Sequence, residues 1–295
     1  MRTVPLAAVV AAVAALSLPP SAAPTSSTVV GVYVVSASGQ DVVRITGPEL
    51  PELDDLAYYA PSWSPDGNQL VFGTELCETC GTTIRVVTVR SSGRKPAGRV
   101  IGNGFNPSWS PTGGRIAFVA YGGRIATMAR DGSSTRLVVG GATANDEPSW
   151  SPDGTKIVFT RQVSAASWEL YSIGVDGTGL KRLSRNGQDL DPAWSPDGRK
   201  IAFTRQERSG LWQIYTINAD GSGTRRLGNG RSSDTSPTWS PDSHRIAFAR
   251  QRGRRSAIYV MNADGSAMRR VTAPGVDATQ PAWSPRTDRL AFVRA

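Results

Sequence analysis

The sequence predicts an all-β fold: a six-bladed β-propeller with four-stranded blades, whose last blade combines two N-terminal and two C-terminal strands. Three observations support this prediction. A phrase centred on Trp-Ser-Pro occurs six times, with 41 to 46 residues between successive tryptophans. A second β-rich phrase follows every copy except the last, and its missing copy stands near the start of the chain. A repeat of about 40 to 45 residues with four short strands is typical of one propeller blade.

The Trp-Ser-Pro phrase predicts a β-hairpin. The copy that begins at Pro192 reads PAWSPDGRKIAF. Its Ser-Pro-Asp-Gly segment suits a tight turn, because proline presets φ and glycine accepts a left-handed conformation. The apolar residues after the turn alternate as they do in a strand. Ser243 and Thr287 replace the turn glycine in the last two copies, where we expect slightly strained or differently shaped turns.

Each copy of the phrase places one tryptophan before its turn. A large aromatic residue in a fixed slot of a repeat is typical of a packed core, so we expect these side chains to lie between adjacent blades. Trp168 and Trp212 lie outside the phrase and are candidates for exposed contact residues. The repeat tryptophans are Trp63, Trp109, Trp150, Trp194, Trp239 and Trp283.

The second phrase predicts the outer hairpin of each blade. The copy from Gln213 reads QIYTINADGSGTRRLG, with two β-rich runs around an Asp-Gly turn. Residues 32–46 read VYVVSASGQDVVRIT and match IYVMNADGSAMRRVT of the last complete repeat. We therefore expect the N-terminal hairpin to complete the last blade, which would close the ring and hide its open sheet edges. The predicted propeller is a single domain over residues 30–295, with almost no helix.

The first residues are typical of a secretory signal peptide over residues 1–23, followed by a short linker over residues 24–29. Arg2 precedes an apolar run at residues 4–18 and then small residues. This run is shorter than the roughly 18 to 20 residues that a membrane-spanning helix needs. An uncleaved membrane anchor is the alternative. The sequence thus predicts an exported protein, periplasmic or extracellular and associated with the cell envelope or free of it.

The two cysteines, Cys77 and Cys80, form a Cys-x-x-Cys motif. In an exported protein we expect them to form a small disulfide, and a redox pair is the alternative. A structural zinc site needs four ligands. The single histidine, His244, lies far away in the sequence, so no metal site is predicted from these residues.

Together, the two repeated phrases resemble the TolB-type, WD-like β-propeller repeat over roughly residues 30–295. The resemblance implies a propeller in an exported protein that binds other proteins of the envelope. TolB proteins also have an N-terminal α/β domain, for which too few residues precede the first hairpin here, so a full TolB role is not implied. The repeat is also similar to the propeller that precedes the hydrolase domain of prolyl oligopeptidase relatives, and no such domain follows here.

The sequence lacks the residues that common enzyme mechanisms need. A serine hydrolase requires a nucleophile and a base, usually histidine, and His244 lies in a predicted turn. There is no G-x-S-x-G elbow and no glycine-rich phosphate loop. We therefore predict a protein that is not an enzyme and has no cofactor.

Polar side chains recur where each innermost strand begins, at one mouth of the predicted channel. They would suit a small ligand, a cation such as calcium, or a glycan. Paired carboxylates would also suit a propeller hydrolase or lyase. The alternative is that they cap loops and bond to neighbouring backbone. The candidate ligand- or partner-binding residues are Asn106, Asp146, Glu147, Asp189, Asp191, Asp234, Asp277 and Gln280.

The net charge of +9 comes largely from arginines. Basic residues recur on the predicted outermost strands, at Arg44, Arg136, 181–182, 225–226 and 269–270. They would protect exposed sheet edges, or form a rim that attracts an anionic cell-wall polymer, lipid headgroups or an acidic protein. Nucleic acid is not an expected partner, because no stacking aromatic motif accompanies the charge. The predicted function is that of a monomeric, non-catalytic interaction scaffold for another envelope or extracellular protein.

Overall fold

The computed structural model describes residues 30–46, 57–75, 81–89, 98–185 and 187–294. In these residues, 24 strands form six four-stranded sheets without any helix, which confirms the predicted six-bladed β-propeller. No helix suited to crossing a membrane occurs within these ranges. The predicted signal peptide and linker, and both residues of the predicted disulfide, Cys77 and Cys80, lie outside the described residues.

Each blade is an antiparallel sheet whose strands follow one another outward from the channel. In blades 1 to 3 the strands are β3 (Ala57–Trp63), β4 (Gln69–Glu75), β5 (Thr82–Thr88) and β6 (Arg99–Asn103); β7 (Phe105–Trp109), β8 (Arg115–Ala120), β9 (Arg124–Ala129) and β10 (Arg136–Val139); and β11 (Asn145–Trp150), β12 (Lys156–Ser164), β13 (Ser167–Gly174) and β14 (Lys181–Arg182).

Blades 4 and 5 repeat this order, and blade 6 takes its outer pair from the start of the chain. The strands are β15 (Asp189–Trp194), β16 (Lys200–Gln206), β17 (Trp212–Asn218) and β18 (Arg225–Arg226); β19 (Asp234–Trp239), β20 (Arg245–Arg252), β21 (Arg255–Asn262) and β22 (Arg269–Arg270); and β23 (Ala278–Trp283), β24 (Arg289–Arg294), β1 (Gly31–Ser36) and β2 (Val43–Arg44).

Blade 6 joins the two ends of the chain. Strand β1 pairs with β24 over six residues, from the pair Gly31 and Arg294 to the pair Ser36 and Arg289. Strand β2 then pairs with β1. The predicted closure by two strands from each end is therefore confirmed.

The core consists of apolar clusters between adjacent blades, because neighbouring residues of a strand point to opposite faces. Ile201 packs into the cluster shared with blade 3, whereas Ala202 packs into the cluster shared with blade 5. Each repeat tryptophan lies against the preceding blade. Trp239, for example, contacts the cluster that contains Ala202 and Ile214 of blade 4. Trp194 is only partly buried in its cluster.

Two kinds of hydrogen bond join the tryptophan positions to the preceding blade, and they alternate around the ring. At three junctions the indole Nε1 donates to a backbone oxygen: Trp63 to Ala282 at 3.0 Å, Trp150 to Ser108 at 3.1 Å, and Trp239 to Ala193 at 3.1 Å. At the other three the tryptophan backbone N–H donates to a side-chain hydroxyl: Trp109 to Ser62 at 3.0 Å, Trp194 to Ser149 at 3.4 Å, and Trp283 to Thr238 at 3.4 Å.

The turn conformations explain why glycine recurs at two positions of the repeats. In the inner hairpins, Gly198 has a φ of 74°, and Ser243 occupies the same turn position with a φ of 61°, the strain expected there. In the outer hairpins, the Asp-Gly turn lies against the preceding blade. A Cβ added to Gly132 would lie 2.0 Å from the Ile101 carbonyl oxygen, so this position needs glycine for space as well as for its φ of 95°.

Candidate functional site

The residue before each motif proline has a left-handed backbone conformation. At this point the pairing of every innermost strand shifts register, as it does between Leu190 and Ala193 in β15. The proline that follows lacks an N–H, so it suits an interruption of the ladder. The six left-handed residues, with φ from 45° to 53°, are Ala60, Asn106, Glu147, Asp191, Ser236 and Gln280.

Several of these left-handed residues bond to the equivalent residue of the next blade. Glu147 Oε2 accepts a hydrogen bond of 2.7 Å from the Asp191 backbone N–H. Asp191 Oδ2 accepts one of 3.1 Å from the Ser236 backbone N–H. Gln280 Oε1 accepts one of 3.0 Å from the Ala60 backbone N–H, across the junction of blades 6 and 1. The side chains therefore join neighbouring blades around the channel.

Asn106 bonds to Asp146 of blade 3 rather than directly to the equivalent residue, Glu147. Its Nδ2 donates to Asp146 Oδ1 at 2.6 Å, and the same oxygen accepts a 2.7 Å bond from the Glu147 backbone N–H. The Thr204 hydroxyl adds a 3.0 Å bond to Asp191 Oδ2. Four of the six junctions between blades are thus bridged by polar side chains of the channel ring.

Asp189 and Asp234 do not reach the channel. Both are fully buried, and both bind an arginine on the adjacent strand of their own blade. The Arg205 Nε lies 2.6 Å from Asp189 Oδ1, and the Arg250 guanidinium binds Asp234 in a bidentate manner at 2.6 and 2.8 Å. These aspartates hold arginines in place inside the blades. The shared separation of 16 residues between partners is a sequence signal for such pairs.

A cavity of about 1160 Å³ occupies the central channel and is lined by residues of all six blades. Its lining is mostly apolar and includes Tyr59 and Phe105. The ring of Phe105 meets the exposed ring of Tyr121 edge-on at 5.9 Å. Six of the predicted binding residues are brought together in this lining: Asn106, Asp146, Glu147, Asp191, Asp277 and Gln280.

A family model described as the TolB beta propeller domain matches residues 55–190 and 184–295. The chain belongs to this family. The match confirms the TolB-type resemblance that the repeated phrases indicate. No curated protein matches the chain.

Solved structures share the fold of this TolB-family chain. A structure assigned as TolB from Agrobacterium tumefaciens has a TM-score of 0.74 and 24% identity, over 91% of this chain and 99% of that one. TolB from Acinetobacter baumannii has a TM-score of 0.66 and 21% identity, over 86% and 66% of the two chains. A puromycin-hydrolyzing peptidase from Mycobacterium tuberculosis has a TM-score of 0.57 and 16% identity, over 79% and 41%. At these identities the likeness concerns the fold.

The acidic part of the TolB-family channel lies in blades 3 and 4. Burial raises the pKa of Asp146 to about 6. Burial, together with the charges of Asp191 and Asp146, raises the pKa of Glu147 well above its usual value. Burial also raises the pKa of Asp191. These raised pKa values favour the protonated forms of the three carboxyl groups, and a cation would compete with those protons. No set of three or more His, Cys, Asp or Glu side chains in the described ranges has an arrangement suited to a metal ion.

The remaining candidate binding and contact residues lie at the mouth of the channel. Asp277 Oδ1 accepts a 2.8 Å bond from the Ser256 backbone N–H and so fixes the start of β21. Trp168 and Trp212 both line the cavity. Trp168 is only 4% exposed, so the expectation that it is exposed is wrong, whereas Trp212 is half-buried.

Basic residues of the outermost strands mostly bond to protein. Arg225 donates to the Asp264 carbonyl oxygen of the next blade at 3.2 Å, and Arg269 donates to the Ala37 carbonyl oxygen at 2.8 Å. Arg182 forms an ion pair with the buried Glu169. These contacts join and cover the blade edges.

Proposed function

We propose that this chain is an exported, non-catalytic binding protein whose central cavity receives a segment of a partner protein in the cell envelope or outside it. One observation carries the proposal. The polar side chains of the channel ring are occupied by the backbone of neighbouring blades, while a wide and mostly apolar cavity stays open beside them. Pockets of this kind suit apolar side chains of a partner, with a few polar groups that fix its position. Membership of the TolB family supports export and a binding role.

The arrangement of the acids supports a structural rather than a catalytic assignment. Glu147 and Asp191 each accept a backbone hydrogen bond from the following blade, so a reacting group would have to displace these bonds. The side chain of His244 is 83% exposed, and its Nδ1 contacts the Asp242 carbonyl oxygen within the same turn. A general base would need to be within hydrogen-bond reach of a bound substrate.

The test compares partner capture by variants that fill the cavity. Thr235 and Thr279 are half-buried and line it, so Thr235→Trp with Thr279→Trp would exclude a bound segment. Thr224→Trp, on an exposed turn at the opposite end, is the matched control. We expect proteins captured from envelope and culture fractions by the wild-type chain and the control to be lost with the cavity variant. Equal capture by all three chains would reject the proposal.

A second candidate function is the binding of a small polar ligand, such as a glycan, beside Asp146, Glu147 and Asp191, because all three carboxyl groups line the cavity. A neutral oligosaccharide would then raise the melting temperature of the wild-type chain. Glu147→Gln would abolish that increase, and Asp176→Asn on an exposed turn would not. An equal response of both variants would reject this second candidate.

A further inference from the structure

Five arginines lie together at the cavity mouth, over blades 4 and 5. In each blade, the turn between the second and third strands and the connection to the next blade lie at the same end, because the strands alternate in direction. Arg208 and Arg231 occupy such segments in blade 4, and Arg252, Arg254 and Arg255 occupy the β20–β21 turn of blade 5. All five are exposed, and Arg254 also lines the cavity. We name this set the arginine arc.

The arginine arc carries five positive charges. Among the described residues, none of these five arginines forms an ion pair. Arg252 donates to the neutral Tyr259 hydroxyl at 2.8 Å, and Arg255 donates to the Gly275 carbonyl oxygen at 2.9 Å. The neighbouring Glu207 is already held by Arg226 at 3.1 Å.

The backbone beneath the arc is fixed by hydrogen bonds. The Ser233 carbonyl oxygen accepts a 2.9 Å bond from the Gln251 N–H, which joins the connection after blade 4 to the turn of blade 5. Gln213 holds the same connection, because its side chain donates to the Ser232 carbonyl oxygen at 2.6 Å and accepts from the Gly230 N–H at 2.8 Å. A fixed backbone leaves less entropy to be lost when these arginines bind carboxylates in a bidentate manner.

We infer that the arginine arc binds an acidic stretch of a partner protein, next to an apolar stretch of the same partner that enters the cavity. This inference rests on the proposed function and specifies the chemistry of the partner. An anionic polysaccharide or a flat lipid surface offers the charge but not the apolar side chains that suit the adjoining cavity. A second copy of this chain would bring arginines against arginines, and this repulsion opposes self-association through the arc.

The experiment places a photoreactive phenylalanine analogue at Ser209, which is exposed beside Arg208, in the full chain within the cells that produce it. We expect a covalent adduct with a protein, and a net negative charge in the cross-linked segment. The same analogue at Thr224, on the opposite end, should give no such adduct. A lipid, polysaccharide or self-adduct at Ser209, or no adduct, would overturn the inference.

Charge reversal then tests the arc directly. Arg208→Glu, Arg231→Glu and Arg254→Glu together should lower the adduct yield about tenfold, because three exposed charge contacts are lost. The matched control reverses Arg130, Arg199 and Arg289, which are exposed at the opposite end, and should keep the yield. Equal yields from both triple variants would overturn this inference alone. An adduct that persists with Thr235→Trp and Thr279→Trp would instead reject the proposed function.

Discussion

Asp234 and Arg250 form the most deeply buried ion pair among the described residues, with side chains 0% and 7% exposed. The hydrogen bond that Arg250 donates to Asp234 raises the pKa of Arg250, so the arginine stays charged. The guanidinium also lies over the rings of Phe248 and Tyr259 at 5.5 and 5.2 Å. Removal of the aspartate would leave a buried charge without its partner.

We predict that Asp234→Ala lowers the free energy of unfolding by about 3 to 5 kcal/mol, because breaking a buried pair leaves an uncompensated charge. Chemical denaturation measures this loss. Asp234→Leu combined with Arg250→Met removes both charges and should recover most of the stability. A loss below about 1 kcal/mol for the single variant would contradict a structural role for the pair.

The channel acids predict an unusual dependence of stability on pH. Carboxyl groups whose pKa is raised in the folded state contribute stability that is fully present below their unfolded values of about 4. This contribution is lost as pH rises through the folded value, which is about 6 for Asp146. The melting temperature should therefore fall between pH 4.5 and 7.

Glu147→Gln should reduce this slope, because the amide oxygen can still accept from the Asp191 N–H but cannot titrate. The turn aspartates act differently. Hydrogen bonds lower the pKa of Asp176, so its contribution is lost only as pH falls below its usual value. Asp176→Asn should consequently leave the slope between pH 4.5 and 7 unchanged. A flat profile in the wild-type chain would refute the assignment of raised pKa values to the channel.

At the scale of strands and turns, the outer Asp-Gly turns act as contacts between blades. Gly132 lies in such an Asp-Gly turn, whereas Gly210 lies in the turn between β16 and β17. Both have positive φ, at 95° and 82°. They differ in surroundings, because a Cβ on Gly132 would meet Ile101 whereas a Cβ on Gly210 would meet nothing within 4 Å.

Gly210→Ala should cost about 1 kcal/mol through backbone strain alone. Gly132→Ala should cost about 1 to 3 kcal/mol more, because it also forces two blades apart. Thermal or chemical unfolding of the two variants measures the difference. Equal losses would mean that the turn does not contribute to packing between blades.

The sequence predicts the hairpins because each is encoded locally, by turn residues and alternating apolar residues. The channel is harder to predict. Asp189 and Asp191 are two residues apart in one strand and would share a face under regular alternation. The left-handed conformation of Asp191 interrupts that alternation, so Asp191 lines the cavity while Asp189 binds Arg205. A shift of this kind depends on pairing with β16, which the sequence pattern of one strand does not contain.

Across the whole molecule, stability depends on a closed ring. Each blade packs only on its two neighbours, and blade 6 requires strands from both ends. The arginine arc was not predicted, because its members come from three separate segments that only the ring brings together. The number of blades and the closure, in contrast, follow from counting the repeated phrases.

We predict that a chain starting at residue 47 loses most of its cooperative unfolding transition, whereas a chain starting at residue 30 keeps it. The shorter chain lacks β1 and β2, so β24 would expose an unpaired edge. Circular dichroism during heating, together with size-exclusion chromatography, would reveal the loss. A normal transition in the shorter chain would show that closure by the N-terminal hairpin is dispensable.

The shared blade also imposes an order of events on biosynthesis. Strand β1 is made early, yet its partner β24 leaves the ribosome or an export channel after all the other described strands. Until then the early hairpin has an open edge and the ring cannot close, a state prone to aggregation. Residues 289–294 therefore control completion of the ring, because a polypeptide truncated before them lacks the strand that β1 needs. The emergence of β24, rather than the formation of any single blade, should be the step that commits the molecule to its native state.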